Sequence, residues 1–190
     1  MVFPNIMPAQ PLDADQLRRS LQALAAALPS SPQGDLILIG GAAGMLSGQL
    51  PSNRVTSDLD VIDVTPPELL DLCCHHAPQV SDPIGINASW FDASSTTLRH
   101  TLLDGWRDRT NSIGRFGCLH VKSVGRLDLI ALKLLAGRER DLADVAALRV
   151  TTRECSALAE LLPQLLGRGV SPESVAAAVS LARALGGDRG

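Results

Sequence analysis

The sequence has no tyrosine and only two lysines among its seventeen basic residues. That bias resembles the codon preference of a GC-rich genome, and no function is read from it. No apolar run approaches the ~20 residues that a membrane-spanning helix needs, so no membrane association is expected. The opening stretch, MVFPNIMPAQPLDADQ, has neither a basic region nor a continuous apolar segment, which argues against a signal peptide. The four cysteines, Cys73, Cys74, Cys118 and Cys155, form no C-x-x-C pair. Adjacent cysteines rarely bridge each other, so a reduced, cytoplasmic setting is expected. Charged residues are also sparse, at 19% with a net charge of −3, while 45% of the chain is apolar. That balance excludes disorder and supplies enough apolar side chain for a core.

A length of 190 residues suits one domain, or one domain with a small appendage. Leu17, Leu21, Leu24, Ala25 and Leu28 recur at helical spacing, so a helix is expected from Asp15 to Leu28, ended by Pro29-Ser30-Ser31-Pro32. Leu36–Ile39 reads as a buried strand bounded by Gly34 and Gly40. A short helix over Ala42–Leu50 and a loop at Pro51-Ser52-Asn53 follow. Ser57–Val64 reads as a second strand, and Pro66-Pro67 opens a helix over Glu68–His75. Residues 77–97 are poorly periodic and suggest loop with one or two strands. Phe116–Val124 alternates as a strand does. Helices are expected at Arg126–Leu135, Asp141–Leu148, Ser156–Leu166 and Glu173–Leu185. The order predicts an α/β (α+β) fold with a small mixed sheet and a helical C-terminal end. It divides the chain into an N-terminal helix and loop (1–34), a core (35–148) and a helical appendage (149–190).

Two features carry chemistry. Gly40-Gly41 joins a strand to a helix, where the backbone can approach a phosphate closely; tight turns use glycine there as well. Asp58-Leu59-Asp60 places two carboxylates on one face of a strand, with Leu59 turned to the core. Such carboxylates repel unless a cation lies between them. Mg²⁺, with its preference for oxygen ligands, would relieve that repulsion and hold the phosphates of a nucleotide. On a solvent-exposed strand end, D-x-D would be harmless.

Taken together, LILIGGAAGMLSGQLPSNRVTSDLDVIDV resembles the signature of the nucleotidyltransferase superfamily. That signature is a strand, Gly-Gly or Gly-Ser, a short helix, and a strand carrying two aspartates around an apolar residue. The form Arg54-x-Thr56-x-Asp58-x-Asp60 is similar to the bacterial toxin-type branch, which includes the AbiEii-like toxins. The later segment GRFGCLHVKSVGRLDLIALKLLAGRERDLADVAAL resembles that branch's strand, lysine-bearing helix and [RK]-x-x-D-x-x-D helix, here with Lys133, Arg138, Arg140, Asp141 and Asp144. Ser89-Trp90-Phe91-Asp92 is similar to a Trp-Leu-Asn-Asp stretch of some members. The resemblance covers residues 35–148. It implies Mg²⁺-dependent transfer from an NTP to an RNA (tRNA) or protein hydroxyl, in some members as the toxin of a toxin–antitoxin pair with a cognate antitoxin as partner. It also implies that Gly40, Gly41, Arg54, Thr56 and Lys133 contact the nucleotide. Asp58 and Asp60 would bind the metal, and Asp141, paired with Lys133 or Arg140, would support the site.

Active members also supply a third carboxylate from a neighbouring strand. Phe116–Val124 has none, offering Cys118 and His120 instead. Asp92 is the best substitute. Asp63 is a poorer one, because its odd spacing from Asp60 turns it to the other face. Without a third acid the chain would be a degenerate module that binds nucleotide or a partner protein. A purely helical interaction protein leaves the register of Gly-Gly and D-x-D unexplained.

Several other residues have a simpler reading. Cys73-Cys74-His75-His76 lie on one helical turn and point in four directions, which cannot close a tetrahedral metal site. Lys133 could be a snorkelling surface lysine, and Asp141 with Asp144 could cap a helix. His120 reads as a core histidine before it reads as a base. Trp90 and Trp106 read as packing residues, although either could stack on a base. Residues 99–140 hold nine basic residues against four acids, a local +5 that leaves −8 for the rest of the chain. That basic stretch can face a polyphosphate or a nucleic acid, or be a solvated mixed-charge surface.

Overall fold

A computed structural model describes residues 11–51 and 53–187. The start of the opening stretch and Ser52 of the Pro51-Ser52-Asn53 loop lie outside the described residues. The sheet is built from β1 (Gly34–Leu38), β2 (Leu59–Thr65), β3 (Phe91–Asp92), β4 (Asn111–Phe116) and β5 (Leu119–Ser123), in the order β3-β2-β1-β5-β4. It is mixed: β1 runs antiparallel to β2 and parallel to β5, β2 pairs β3 in parallel, and β4-β5 is an antiparallel hairpin. Among the described residues seven α-helices flank it, α1 (Ala14–Ala27), α2 (Gly40–Leu46), α3 (Pro67–Ile84), α4 (Arg126–Ala136), α5 (Glu139–Ala147), α6 (Thr152–Leu161) and α7 (Pro172–Gly187). This is the expected α/β architecture.

Leu36 and Leu38 of β1, Leu59 and Val61 of β2, and Leu119 and Val121 of β5 are fully buried. They meet Leu17, Leu21 and Leu24 of α1 and Leu129, Ile130 and Leu134 of α4 in one apolar cluster. Removing these side chains from water is the main stabilising term of the fold. α1 is fixed at its start by a reciprocal cap. The Asp13 carboxylate accepts from the Gln16 N–H, and the Gln16 side chain accepts from the Asp13 N–H.

Local differences from the sequence reading have physical causes. α2 begins at Gly40 rather than Ala42 and ends at Leu46. α3 runs on to Ile84 although Pro78 and Pro83 lie inside it; packing against α1 and β2 holds the helix where propensity alone would break it. It ends at Gly85, whose φ of +69° suits glycine. The expected strand 116–124 is shorter, β5 at Leu119–Ser123, and is the second arm of a hairpin with the unexpected β4, because Gly117, at φ +53°, turns the chain between them. Residues 94–101 form a 3₁₀ segment that packs on β2.

One irregularity matters for the site. Ile37 pairs with Asp63, but Leu38 pairs with Val61, so Ile62 is an extra residue in β2. This bulge resets the alternation. Asp60 and Asp63, an odd number of residues apart, both reach the 94–101 segment: Ser95 Oγ–H donates to Asp60 at 3.2 Å and Arg99 to Asp63 at 3.0 Å. The expectation that Asp63 faces away from Asp60 is therefore corrected.

Candidate active site

β1 delivers the chain to Gly40 directly beside β2. Gly40 has φ +71°, a backbone conformation that favours glycine, and a Cβ there would press on the Asp60 carboxylate and force it to move. A Cβ on Gly41 would come within 3.1 Å of Thr56 Oγ1. The Gly-Gly turn and the D-x-D stretch thus form one wall of a single site.

β2 begins at Leu59, so Asp58 precedes the strand rather than lying within it. Leu59 is fully buried and anchors the start of β2, with Asp58 just before it and Asp60 just after it. The parallel register of β3 sets Asp92 directly beside Asp60. Carboxylate oxygens of Asp58, Asp60 and Asp92 all lie within 4.8 Å of one another, and none of the three is fully buried. Among the described residues this is the one group of three or more acid, histidine or cysteine ligands close enough to share an ion. The neighbouring strand that brings a third carboxylate is therefore β3, not β5, which holds His120 and follows the turn at Cys118.

The cluster has almost no cation of its own. Burial, reinforced by the nearby charges of Asp58 and Asp92, pushes the Asp60 carboxyl up to about 6; the Ser95 hydrogen bond and the positive charge of Arg140 oppose this without cancelling it. A carboxyl that resists ionisation beside two further carboxylates fits a hard divalent cation with oxygen ligands. Asp92 is oriented by the Ser94 N–H, which donates to its Oδ1 at 2.8 Å.

The other expected contacts are distributed differently. Lys133, only 4% exposed, donates to Asp144 at 2.6 Å and to Asp141 at 3.4 Å. It is therefore a buried ion-pair centre rather than a snorkelling lysine, although its side chain lines a cavity of about 140 Å³ together with Gly40 and Asp60. Arg54 clamps the same Asp144 with two donors, at 2.8 and 3.2 Å. Burial raises the Asp144 carboxyl, but the bonds from Arg54 and Lys133 outweigh it and hold the group below its ordinary value. Asp141 pairs with Lys133 and with Arg138 at 2.8 Å, not with Arg140. Arg140 is exposed and acts on Asp60 through space. Thr56 is tied to Leu12 through the backbone, with its side chain beside Gly41.

Residues outside the expected set also shape the site. Asp63 is buried and receives Arg99 and Arg107. Ser95, which contacts Asp60, sits in a polar stretch with no periodic signal that would reveal it. Trp90 is buried and donates from its ring N–H to the Ala77 carbonyl at 2.9 Å, so it is a packing residue. His120 is partly exposed, between Asp35 at 3.1 Å and Ser112 at 2.9 Å, away from the carboxylates. Cys73 is buried and Cys74 exposed, and both are free thiols. No helix among the described residues is long and apolar enough to cross a membrane.

No curated protein and no solved structure matches the chain. A family model does match, over residues 15–162, from α1 through α6 and with the whole site inside it. The chain thus belongs to the family described as a nucleotidyltransferase of unknown function (DUF6036).

Proposed function

We propose that this chain transfers a nucleotidyl group from an NTP, with Mg²⁺, to a hydroxyl of RNA, such as a tRNA end, or of a protein. The reading rests on one observation above the rest: three carboxylates gather within 4.8 Å beside Gly40, whose backbone conformation favours glycine and where a Cβ would press on one of them. Asp58 and Asp60 hold the cation, which would neutralise phosphate charge during transfer. The Gly40-Gly41 backbone lies against the polyphosphate. Asp92, oriented by Ser94, takes the proton of the attacking hydroxyl. That oxygen bonds to the α-phosphorus as the bond to pyrophosphate breaks, and pyrophosphate leaves. Arg54, Thr56 and Arg140 border the phosphates. Lys133 and Asp141 support the site by fixing α4 to α5.

A cytoplasmic toxin paired with a cognate antitoxin is the biological setting this reading favours. Incubating the pure protein with each α-labelled NTP, Mg²⁺ and total tRNA tests the chemistry. Label is expected on RNA, or on a protein acceptor when lysate is supplied. Binding of NTP with no transfer to any acceptor would instead make the chain a nucleotide-binding module.

A further inference from the structure

The site opens onto a longer cleft. The 140 Å³ cavity beside Gly40 and Asp60 shares Leu98, Leu132 and Ala136 with a second cavity of about 330 Å³. Leu98 comes from the 94–101 segment and Leu132 from α4. The far cavity adds His100, Ser171 and Ser174, which supply hydrogen-bonding groups. A ligand with a charged tail at the carboxylates would meet these shared apolar side chains, with Lys133, Arg138 and Asp141 beside them and a polar end beyond.

We propose that the nucleoside of the substrate lies in this cleft, with its base held between Leu98 and Leu132. This rests on the nucleotidyl-transfer reading above and adds where the base goes. Leu98 is 42% exposed, one of four large hydrophobic side chains so exposed among the described residues. An isolated exposed leucine is ordinary on a protein surface. This one borders the acid cluster, and its position is set by that cluster. The segment carrying it is tied to β2 through Ser95 to Asp60 and Arg99 to Asp63. Among the described residues no tyrosine, tryptophan or phenylalanine, the usual stacking partners of a base, lines the cleft, whose one ring is the His100 imidazole in the far cavity. The chain has no tyrosine, Trp90 and Trp106 are buried, and Phe91 and Phe116 pack on the core. Beside the carboxylates aliphatic faces must then hold the base, and Leu98 and Leu132 are the two leucines that line both cavities.

The test compares Leu98→Gln and Leu98→Phe with the wild-type full chain, using calorimetry with Mg²⁺ and two kinds of probe: the four NTPs, and inorganic tripolyphosphate. Tripolyphosphate reaches the carboxylates and glycines without entering the cleft. Leu98→Gln is expected to weaken NTP binding about five- to tenfold and leave tripolyphosphate unchanged. Leu98→Phe is expected to tighten NTP binding by adding a ring face. Because the side chain is exposed, both variants should keep the wild-type melting temperature. Unchanged NTP affinity in both variants, or equal losses for NTP and tripolyphosphate, overturns the cleft proposal while leaving transfer chemistry intact. Failure of the wild type to bind any NTP overturns the transfer reading, and the cleft with it.

Discussion

Two acidic groups lie close together in this molecule and differ in what answers their charge. Asp141 and Asp144 on α5 are buried, and each carboxylate is met by cations: Lys133 by both, Arg138 by Asp141 and Arg54 by Asp144. Asp63 and Asp128 are neutralised in the same way, by Arg99 with Arg107 and by Arg109. Asp58, Asp60 and Asp92 stand within 4.8 Å of one another with no ion pair to any of them among the described residues. The fold evidently supplies cations to carboxylates where it needs them. The uncompensated set is therefore where an external cation is called for, and the compensated set is where packing is being held in register.

The largest expected effect belongs to the uncompensated group. Asp92→Ala should lower turnover by about 10²–10⁴-fold and change NTP affinity much less, because a base acts in the transition state while Asp58 and Asp60 still hold the cation. Side-by-side label transfer and NTP binding check this. Equal losses in both would make Asp92 a ligand rather than a base, and full activity would remove it from the mechanism.

In the compensated group the loss should be one of stability. Lys133→Ala leaves Asp141 and Asp144 short of a buried partner and is expected to cost about 3–5 kcal/mol, measured by denaturant unfolding of the apo protein. A cost below about 1 kcal/mol would mean that Arg54 and Arg138 alone neutralise the pair.

The pH dependence separates the groups by sign. Asp60 has a folded-state value of about 6 against an ordinary 3.8. The folded state therefore holds this proton more tightly than the unfolded chain. Its contribution is fully present below about pH 4 and is lost as pH rises through 6. Asp144 is held below its ordinary value, so its contribution is present at neutral pH and is lost as pH falls through its depressed folded value. Asp60→Asn should flatten the decline in apo stability between pH 4 and 6; an unchanged profile would contradict the assignment. The smallest effect is expected at Arg138, which is 63% exposed where it meets Asp141. Arg138→Ala should cost less than about 1 kcal/mol in the same unfolding measurement, and a loss as large as that of Lys133→Ala would erase the distinction between buried and exposed partners.

Much of this was legible in the sequence because it is local. The apolar run LILI, the Gly-Gly junction and the alternation around Leu59 each report on their own neighbourhood. The helical spacing through Arg126–Leu135 does too. The pairing of Lys133 with Asp141 was legible only through the family resemblance. Its shorter bond to Asp144, shared with Arg54, was not legible, because those partners sit elsewhere in the chain and only the turn at Gly137 brings the next helix round. The length of α3 was hidden by Pro78 and Pro83, whose local preference is overridden by tertiary packing. β4 was missed because its exposed and half-buried residues, interrupted by Gly114, carry no apolar alternation. Asp92 could be nominated only through family resemblance. Its place beside Asp60 comes from a two-residue parallel pairing, too short to leave a pattern. The bulge at Ile62 left no trace either, and the face assigned to Asp63 depended on it.

The central claim is that the Asp58, Asp60 and Asp92 cluster is strained when empty and relieved by a divalent cation. Thermal unfolding of wild type and Asp60→Asn at pH 7.5, across a Mg²⁺ titration, tests it most directly. Without Mg²⁺ the variant should melt higher, by up to roughly 6–12 °C, because up to about 3 kcal/mol of buried-charge cost is removed. Adding Mg²⁺ should then raise the melting temperature of the wild type and leave the variant's unchanged. A variant that melts below the wild type without metal, or equal Mg²⁺ shifts in both proteins, would contradict the account.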